Sequence, residues 1–342
     1  MSPPVGIGTQ TIGIMGAGAW GTALGQLAQR AGHSALIWAR EPEVAEAINA
    51  KHENPLFLPG IKLDPKLRAA TDLAALAGSR AILLAVPAQH LRASAAALGL
   101  ALGGGLPPLV ICAKGIELGG SHGGALMTEV LADVLPAARF AVMSGPTFAK
   151  EVAQGLPAAV TLACRDAKLG AELVGALGTA SFRPYLSDDP VGAEVGGAVK
   201  NVLAIACGIA MGRKLGDNAR AALITRGLAE ILRLAVALGG KAETCMGLSG
   251  LGDLTLTCTG MKSRNLTLGM ALGEGRALPD VLAERRSIAE GVASAGAVVQ
   301  RARRAGVEMP ICAAVDAVLN GGADIDAEIR GLLARPFKPE SN

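Results

Sequence analysis

Short apolar runs alternate with amphipathic stretches through the first half of the chain. The runs at residues 11–15, 34–38, 81–86, 109–112 and 140–143 are bounded by Gly, Pro or polar residues. Runs of this kind are typical of buried strands, and their alternation with helical patterns predicts a parallel sheet flanked by helices. A further apolar run at 158–163 is a strand candidate that either extends this sheet or forms a small appendage.

The pattern changes after about residue 190, where long helical stretches begin. Apolar residues recur at helical spacing over 191–211, 218–238, 294–305 and 313–319. We therefore expect two domains, because 342 residues also exceed the size at which one core usually stops growing. The predicted division is an α/β domain over 11–190, a nearly all-α domain over 191–335 and a polar, Pro-containing tail over 336–342.

Composition narrows the function classes. Hydrophobic residues make up 51% of the chain and aromatic residues 2%, so the core must consist of small aliphatic side chains, and 46 glycines permit close backbone approach. The net charge of +3 comes from 32 basic and 29 acidic residues without long runs, which argues against nucleic acid as a partner. Six cysteines without a CxxC pair and four scattered histidines predict no metal site and reduced, packed thiols.

No segment has the pattern of a targeting or membrane-spanning sequence. Residues 1–10 lack a basic stretch followed by an apolar one. The most apolar later stretch, 199–211, contains Lys200 and Asn201 and is shorter than the roughly 20 residues needed to span a bilayer. We interpret it as a buried helix, and we expect a cytoplasmic protein without an integral membrane segment.

The sequence GAGAWG at 16–21 directly follows the first predicted strand and opens an Ala-rich helix. In that context GxGxxG is typical of a dinucleotide-binding turn, although the bare motif can be an ordinary glycine turn. Gly16 permits the tight turn, Gly18 lets the backbone approach a pyrophosphate, and Gly21 lets helix and strand pack closely. The N-terminus of the helix attracts the phosphate charge. The motif therefore predicts a bound dinucleotide.

Arg40 and Glu41 follow the second predicted strand, where the adenosine ribose of a dinucleotide is normally bound. An acidic residue there binds the 2′-hydroxyl of NAD, whereas an arginine accepts the 2′-phosphate of NADP. A solvated arginine is the alternative. Because Arg40 comes first, the sequence favours NADPH, or the use of both cofactors.

Two lysines lie where chemistry is expected. Lys114 follows the predicted strand at 109–112, so it is either a surface residue or a cation at the sheet edge that meets a substrate phosphate or carbonyl. Lys200 interrupts an apolar helix, where burial is costly unless the lysine is paired or its pKa falls. The alternative is a side chain that reaches solvent. A desolvated Lys200 near Lys114 would serve as a general base on a hydroxyl or a general acid on a carbonyl.

Three polar turns supply further candidates. Residues 144–147, SGPT, offer free backbone and a hydroxyl at the same sheet edge, but a structural turn is equally consistent. Asp253, in the Gly-rich sequence GLSGLGD, either caps the next helix or orients and balances a buried lysine. Ser263, Arg264 and Asn265 suit a phosphate dianion, or else they begin a helix with Ser263 as its cap.

Taken together, these segments resemble the bacterial-type NAD(P)-dependent glycerol-3-phosphate dehydrogenases. The resemblance covers nearly the whole chain in the expected order, through GAGAWGTALG at 16–25, AKGIE at 113–117, GPTFAKEVA at 145–153, VKNVLAIACGIAMG at 199–212, GLSGLGDLTLTCT at 247–259, SRN at 263–265 and AEGV at 289–292. It implies a Rossmann domain followed by a helical domain similar to that of 6-phosphogluconate dehydrogenase. The implied reaction interconverts sn-glycerol 3-phosphate and dihydroxyacetone phosphate for phospholipid synthesis.

The resemblance also implies roles for individual residues. Lys200 is the implied proton acceptor, with Lys114 and Asp253 as its catalytic neighbours. The implied substrate contacts are Lys114, Gly145, Thr147, Lys200, Asp253, Ser263, Arg264 and Asn265. The implied cofactor contacts, besides the glycines of the turn, are Ala19, Trp20, Arg40, Lys114, Ala149, Arg264, Ile288 and Glu290.

Two local departures from the family pattern bear on affinity. Ala19 replaces a serine that is often found in the glycine turn, and the lost hydroxyl is worth about 1 kcal/mol. Leu266 and Thr267 follow SRN where a more basic pair is common. This second departure bears on phosphate affinity and on cofactor preference.

Two other functions are consistent with the same residues. One is another β-hydroxyacid-type dehydrogenase or a ketopantoate-type reductase, which would not require SRN as a phosphate clamp. The other is a regulatory protein that binds NADP without turnover, for which a buried Lys200 would be needlessly costly. For the assembly, the apolar, Gly-rich helices of the second half favour a homodimer.

Overall fold

The computed structural model describes residues 10–119, 123–284, 290–337 and 339. Strands occupy its first part and long helices its second. The strands are β1 Thr11–Met15, β2 Ser34–Trp38, β3 Glu53–Asn54, β4 Leu58–Lys62, β5 Arg68–Ala70, β6 Ala81–Leu84, β7 Leu109–Ile111, β8 Phe140–Ser144, β9 Ala158–Ala163 and β10 Phe182–Ser187.

Short helices connect the strands, and longer ones follow them. The helices are α1 Ala19–Arg30, α2 Pro42–Glu46, α3 Leu91–Ala101, α4 Met127–Val134, α5 Ala149–Gln154, α6 Ala167–Leu177, α7 Pro190–Gly212, α8 Gly216–Ala237, α9 Ala242–Met246, α10 Asp253–Thr259, α11 Arg264–Gly273, α12 Leu278–Ala283, α13 Glu290–Arg304, α14 Pro310–Gly321 and α15 Ile325–Leu333.

The main sheet has eight strands in the order β10-β9-β8-β7-β6-β1-β2-β5, with helices on both faces. Ile14 and Leu83 pack in one core with α1, while Ile82 and Leu84 point to the other face and pack with α3 and α4. The predicted Rossmann-type domain is therefore confirmed. Alternating residues of β6 serve the two cores because successive side chains of a strand point to opposite faces.

One pair of neighbouring strands departs from the predicted parallel arrangement. Strands β8 and β9 are antiparallel, because the chain between them turns back through α5, which packs on α1, instead of crossing a face of the sheet. The candidate strand at 158–163 thus extends the sheet, and its other neighbour is β10. The sequence did not predict β10, because Arg183 and Pro184 interrupt its apolar pattern; proline is tolerated in a strand at a sheet edge.

Helix α7 is the centre of the second domain. It is the one described helix that is long and apolar enough to cross a membrane, and 89% of its most apolar window is buried inside the protein. The interpretation as a buried core helix is therefore confirmed, but the predicted length was wrong: the helix has 23 residues and is long enough to span a bilayer. Close packing needs its glycines: a methyl group on Gly208 would lie 2.8 Å from the Gly269 Cα of α11.

The other predicted elements are confirmed with modest changes at their ends. The predicted helices at 218–238, 294–305 and 313–319 correspond to α8, α13 and α14, with ends shifted by up to four residues. Strand β6 ends two residues early and β8 one residue late. The six cysteines are free and buried, as predicted. The predicted tail, 336–342, lies partly outside the described residues.

Two side chains of the helical domain bind the N-terminus of α4, a helix of the sheet domain. The carboxylate of Glu194 in α7 accepts hydrogen bonds from the Thr128 N–H, at 2.8 Å, and from the Thr128 hydroxyl, at 2.7 Å. Arg301 of α13 pairs with Glu129 at 2.5 Å. One open N–H group of this helix start, that of Thr128, is therefore bound by the helical domain, while Glu129, which accepts from the Leu126 N–H at 2.9 Å, is held by Arg301.

Candidate functional site

The glycine turn has the geometry that a bound dinucleotide requires. Gly16 adopts a φ of +114°, which side chains rarely tolerate, and its N–H donates to the Trp38 carbonyl oxygen at 3.1 Å. A methyl group on Gly21 would collide with the Gly16 carbonyl oxygen, whereas one on Gly18 would meet no described atom within 4 Å. The N-terminus of α1 therefore faces open space, where backbone N–H groups can bind a pyrophosphate.

The other predicted cofactor contacts lie around this turn or farther along the sheet edge. Ala19 and Trp20 begin α1, and the buried Trp20 Nε1 has no hydrogen-bond partner among the described residues. Arg40 follows β2 with 75% of its side chain exposed, and it pairs with Glu41 at 2.6 Å. Ala149 begins α5. Ile288 lies outside the described residues.

Three predicted catalytic side chains meet between the domains. Asp253 accepts from Lys114 Nζ at 2.8 Å through Oδ2 and from Lys200 Nζ at 3.0 Å through Oδ1. Its side chain is 1% exposed, and those of Lys114 and Lys200 are 12% and 9% exposed. Lys200 therefore does not reach solvent. Asp253 balances two lysines, and its side chain caps no helix.

The surroundings of Lys200 lower its pKa, so the neutral form of this lysine is more favourable here than in water. Burial lowers the pKa of Lys200, the Asp253 carboxylate offsets part of that effect, and the Lys114 ammonium lowers the pKa further. Burial opposes ionisation of Asp253, but the two ammonium groups outweigh it and hold the pKa of this carboxyl below its usual value. A buried carboxylate thus stays charged beside a lysine that can lose its proton.

The two lysines differ in how many of their ammonium N–H groups are already hydrogen-bonded. Lys114 Nζ also donates to the Gly145 carbonyl oxygen at 2.7 Å and to the Thr147 hydroxyl at 3.2 Å, which uses all three of its N–H groups. Lys200 Nζ donates to the Thr257 hydroxyl at 3.0 Å besides Asp253. Among the described residues Lys200 therefore keeps one position for a substrate oxygen.

A second hydrogen-bonded chain joins the predicted phosphate turn to the lysines. Asn265 donates to Asn201 Oδ1 at 2.9 Å and accepts from the Gly291 N–H at 3.1 Å, while Asn201 donates to the Lys114 carbonyl oxygen at 2.9 Å. Ser263 caps α11 by accepting from the Leu266 N–H at 3.2 Å. The side chains of Asn265 and Ser263 are therefore engaged in holding the turn.

Arg264 and Glu290 are the remaining predicted site residues. Arg264 is the exposed first residue of α11, and Glu290 begins α13 and accepts from the Ala88 N–H at 3.4 Å. Burial raises the pKa of Glu290, whereas the charge of Arg264 lowers it, as do the Ala88 N–H and the charges of Lys200 and Lys114. Arg264 and Glu290 therefore lie within electrostatic reach of each other, and Glu290 within that of the lysine cluster.

The sequence reasoning missed two residues of this site. Thr257 lies four residues after Asp253 on α10, so the helical spacing of a carboxylate and a hydroxyl is the signal that could have identified it. Gly197 lets α7 approach the sheet, because a methyl group there would lie 2.6 Å from the Ser144 hydroxyl. A glycine within a long apolar helix gives no comparable signal.

Comparison with known proteins assigns both domains to one family. The family model described as NAD-dependent glycerol-3-phosphate dehydrogenase N-terminus matches residues 11–170. The model described as NAD-dependent glycerol-3-phosphate dehydrogenase C-terminus matches residues 189–330. The two matches follow each other along the chain: the first ends within α6, and the second begins one residue before α7.

Individual relatives cover nearly the whole chain. The glycerol-3-phosphate dehydrogenase (NAD(P)+) of Rhodospirillum rubrum is 61% identical over 96% of this chain and 93% of its own length. That of Caulobacter vibrioides is 56% identical over 97% of this chain and 99% of its own. The crystal structure of glycerol-3-phosphate dehydrogenase from Coxiella burnetii matches with a TM-score of 0.90 and 38% identity, over 96% of this chain and 99% of that one.

Proposed function

This chain belongs to the NAD-dependent glycerol-3-phosphate dehydrogenase family, and we propose that Lys200 is the residue that moves the proton in its reaction. The protein is an NAD(P)-dependent oxidoreductase that interconverts sn-glycerol 3-phosphate and dihydroxyacetone phosphate, a reaction that supplies glycerol 3-phosphate for phospholipid synthesis. The observation that carries the assignment to Lys200 is its burial against Asp253, with one position on Nζ that no described residue occupies and that a substrate oxygen can take.

Proton transfer at C2 of the substrate follows from this arrangement. In the oxidative direction neutral Lys200 accepts the proton of the C2 hydroxyl, and in the reductive direction its ammonium gives that proton to the developing alkoxide. A bound nicotinamide would supply the hydride chemistry at C2. Asp253 holds Lys200 and balances the charge of the site in both directions.

Positive charge from two other residues completes the proposed substrate site. Lys114 can exchange its longest contact, with the Thr147 hydroxyl at 3.2 Å, for a substrate oxygen. Arg264, at the start of α11, brings a guanidinium to a helix N-terminus, and both favour binding of an anionic phosphate there. Ser263 and Asn265 support this turn through the hydrogen bonds they already make.

The two other functions agree less well with these observations. Identity of 61% over almost the full chain favours glycerol 3-phosphate over the substrate of a ketopantoate-type reductase. A protein that only senses NADP would have no use for two lysines buried against one carboxylate, because removing charges from water is costly. Both features favour a working dehydrogenase.

The organisation of the whole protein is also a proposal. We place the domain boundary between residues 190 and 191, with the dinucleotide domain over 11–190 and the substrate domain over 191–335. A cytoplasmic location and a homodimer accord with the family and with the apolar helices of the second domain. Light scattering on the purified protein would give twice the mass of one chain, and a monomer mass at micromolar concentration would contradict the dimer.

The test of the proton-transfer role compares Lys200→Met with wild type. Turnover is followed by the absorbance of NADPH or NADH with dihydroxyacetone phosphate as the substrate. We expect kcat to fall roughly a hundredfold or more, because general acid–base groups contribute on that scale. Cofactor affinity, measured by fluorescence titration, should stay within about twofold.

Lys168→Met is the matched control, because Lys168 lies exposed on α6. It should leave kcat unchanged. A Lys200→Met enzyme that keeps more than about a tenth of the wild-type kcat would contradict the role of Lys200. Wild-type protein that oxidises neither cofactor with this substrate would contradict the substrate itself.

A further inference from the structure

Asn54 lies in a small hairpin that is separate from the main sheet and packs against the glycine turn. Strands β3 and β4 form this hairpin, and Leu58 and Ile61 anchor it in the core that also contains Ile14 and Leu24. The Asn54 side chain is completely buried. A buried amide needs partners for its donors and its acceptor, so its contacts show what holds it there.

Asn54 binds one carbonyl group of the glycine turn directly and also contacts Thr22, which binds the same carbonyl group. Its Nδ2 donates to the Ala17 carbonyl oxygen at 2.8 Å and to the Thr22 hydroxyl at 2.9 Å, and its Oδ1 accepts from the Phe57 N–H at 3.1 Å. The Thr22 hydroxyl in turn donates to the same Ala17 oxygen at 3.2 Å. The Ala17 carbonyl is therefore held by two side chains.

Fixing this carbonyl also fixes the direction of the next N–H. The Ala17–Gly18 peptide is planar and trans, since no cis peptide occurs in the described chain, so the Gly18 N–H points opposite to the Ala17 oxygen. Asn54 holds the oxygen on the hairpin side of the turn. Space is open at Gly18, where an added methyl group would meet no described atom within 4 Å.

We propose that Asn54, together with Thr22, is a positioning residue that aims the Gly18 N–H at the cofactor pyrophosphate. The inference rests on the proposed use of the glycine turn as the pyrophosphate site. Asn54 acts through the Ala17–Gly18 peptide, because its buried side chain makes its hydrogen bonds to protein groups. It stabilises in advance the peptide orientation that binding requires, so that binding does not have to impose it.

Gln26 is a useful comparison for Asn54, because it also links α1 to the hairpin. It lies one turn after Thr22 on α1, is also buried, and binds the other end of the hairpin through the Lys62 carbonyl oxygen at 3.3 Å and the Asp64 N–H at 2.7 Å. Gln26 therefore fastens the hairpin to α1 without contacting the glycine turn. Its removal should affect stability and leave the orientation of the turn intact.

The experiment measures dissociation constants of NADH and NADPH by fluorescence titration for Asn54→Ala, Thr22→Val and Gln26→Ala. We expect Asn54→Ala and Thr22→Val to weaken both cofactors about tenfold, the size of one lost hydrogen bond to an oriented group. The kcat at saturating cofactor and the KM for dihydroxyacetone phosphate should change less than about twofold. Gln26→Ala should lower the melting temperature but keep wild-type affinity.

The outcomes distinguish a role in orienting the Gly18 N–H from a role in attaching the hairpin to α1. If Asn54→Ala and Gln26→Ala weaken the cofactors equally, or if Thr22→Val binds like wild type, the positioning role is wrong. Thr22→Val keeps the test decisive if Asn54→Ala fails to fold, because valine has the shape of threonine. Gly18→Val tests the underlying assumption: if it binds cofactors like wild type, the glycine turn is not the pyrophosphate site, whatever Asn54 does.

Discussion

Single residues show where a sequence predicts chemistry and where it cannot. Lys200 and Asp253 were identifiable as charges in apolar surroundings. The structure pairs them, which rules out a solvent-exposed Lys200 and a helix-capping Asp253. The pairing of Lys114 with the same carboxylate could not be predicted from the local sequence, because 139 residues separate the two positions and no spacing rule spans the fold; only the family resemblance implied that both lie beside Lys200. Thr257 was missed for a different reason: its spacing of four residues from Asp253 is a signal, but a threonine at that spacing on a helix is common, and it gains meaning only once the carboxylate is seen to bind Lys200.

At this scale, Glu41 is expected to limit the preference for NADPH. Its carboxylate holds the Arg40 guanidinium through Nε at 2.9 Å and Nη2 at 2.6 Å, and it would repel a 2′-phosphate. Glu41→Gln should therefore raise the ratio of kcat/KM for NADPH over NADH severalfold, which corresponds to about 1 kcal/mol for a partly exposed charge. Steady-state kinetics with both cofactors measure this ratio. The exposed Glu43→Gln serves as control, and an unchanged ratio in Glu41→Gln would contradict the role.

Among the elements, those with strong periodic patterns were predictable and those fixed by neighbours were not. Helices α7 and α8 have long helical patterns, and β1 and β2 match their predicted bounds. The edge strand β10 and the antiparallel pairing of β8 with β9 depend on how α5 packs, which no local pattern encodes. The start of α4 is partly similar, because its Leu126 N–H donates locally to Glu129, whereas its Thr128 N–H donates to Glu194, far along the chain in α7.

The contact between α7 and α4 is expected to make stability depend on pH. Burial raises the pKa of Glu194 from its ordinary 4.5 to about 7, with the Thr128 hydrogen bonds opposing this and Glu129 adding to it. Folded protein therefore holds this proton more tightly than unfolded chain, and stability falls as pH rises between these values. As pH rises across this range, the free energy of unfolding of wild type should fall by roughly 1 kcal/mol per pH unit relative to that of Glu194→Gln.

Chemical denaturation at several pH values measures this difference. The matched control is Glu172→Gln, since Glu172 is exposed on α6, and its stability should run parallel to wild type at every pH. Subtracting the Glu194→Gln curve from wild type also removes the effect of Glu230, another buried carboxyl with a raised pKa. A difference that stays constant, or that grows in favour of wild type as pH rises, would contradict this account of Glu194.

For the whole molecule, composition and pattern together predicted the fold class but not the assembly of the site. A core of small aliphatic residues and many glycines allows α11 to lie against α7 at backbone distance, as at Gly208 and Gly269. The order of domains followed from the change in pattern near residue 190. The meeting of Lys114 with Asp253 requires the relative position of the two domains, and that position depends on contacts distributed over the whole chain.

The shared carboxylate of Asp253 also relates the direction of the reaction to acidity. In the proposed mechanism both lysines are protonated when a ketone is reduced, so the two ammonium groups and the Asp253 carboxylate carry one net positive charge, which attracts an anionic phosphate ester. Loss of the Lys200 proton would make these three groups electrically neutral, and that state would oxidise an alcohol. We therefore expect acidic conditions to favour both reduction and binding of the ester, and alkaline conditions to favour oxidation with weaker binding of the ester.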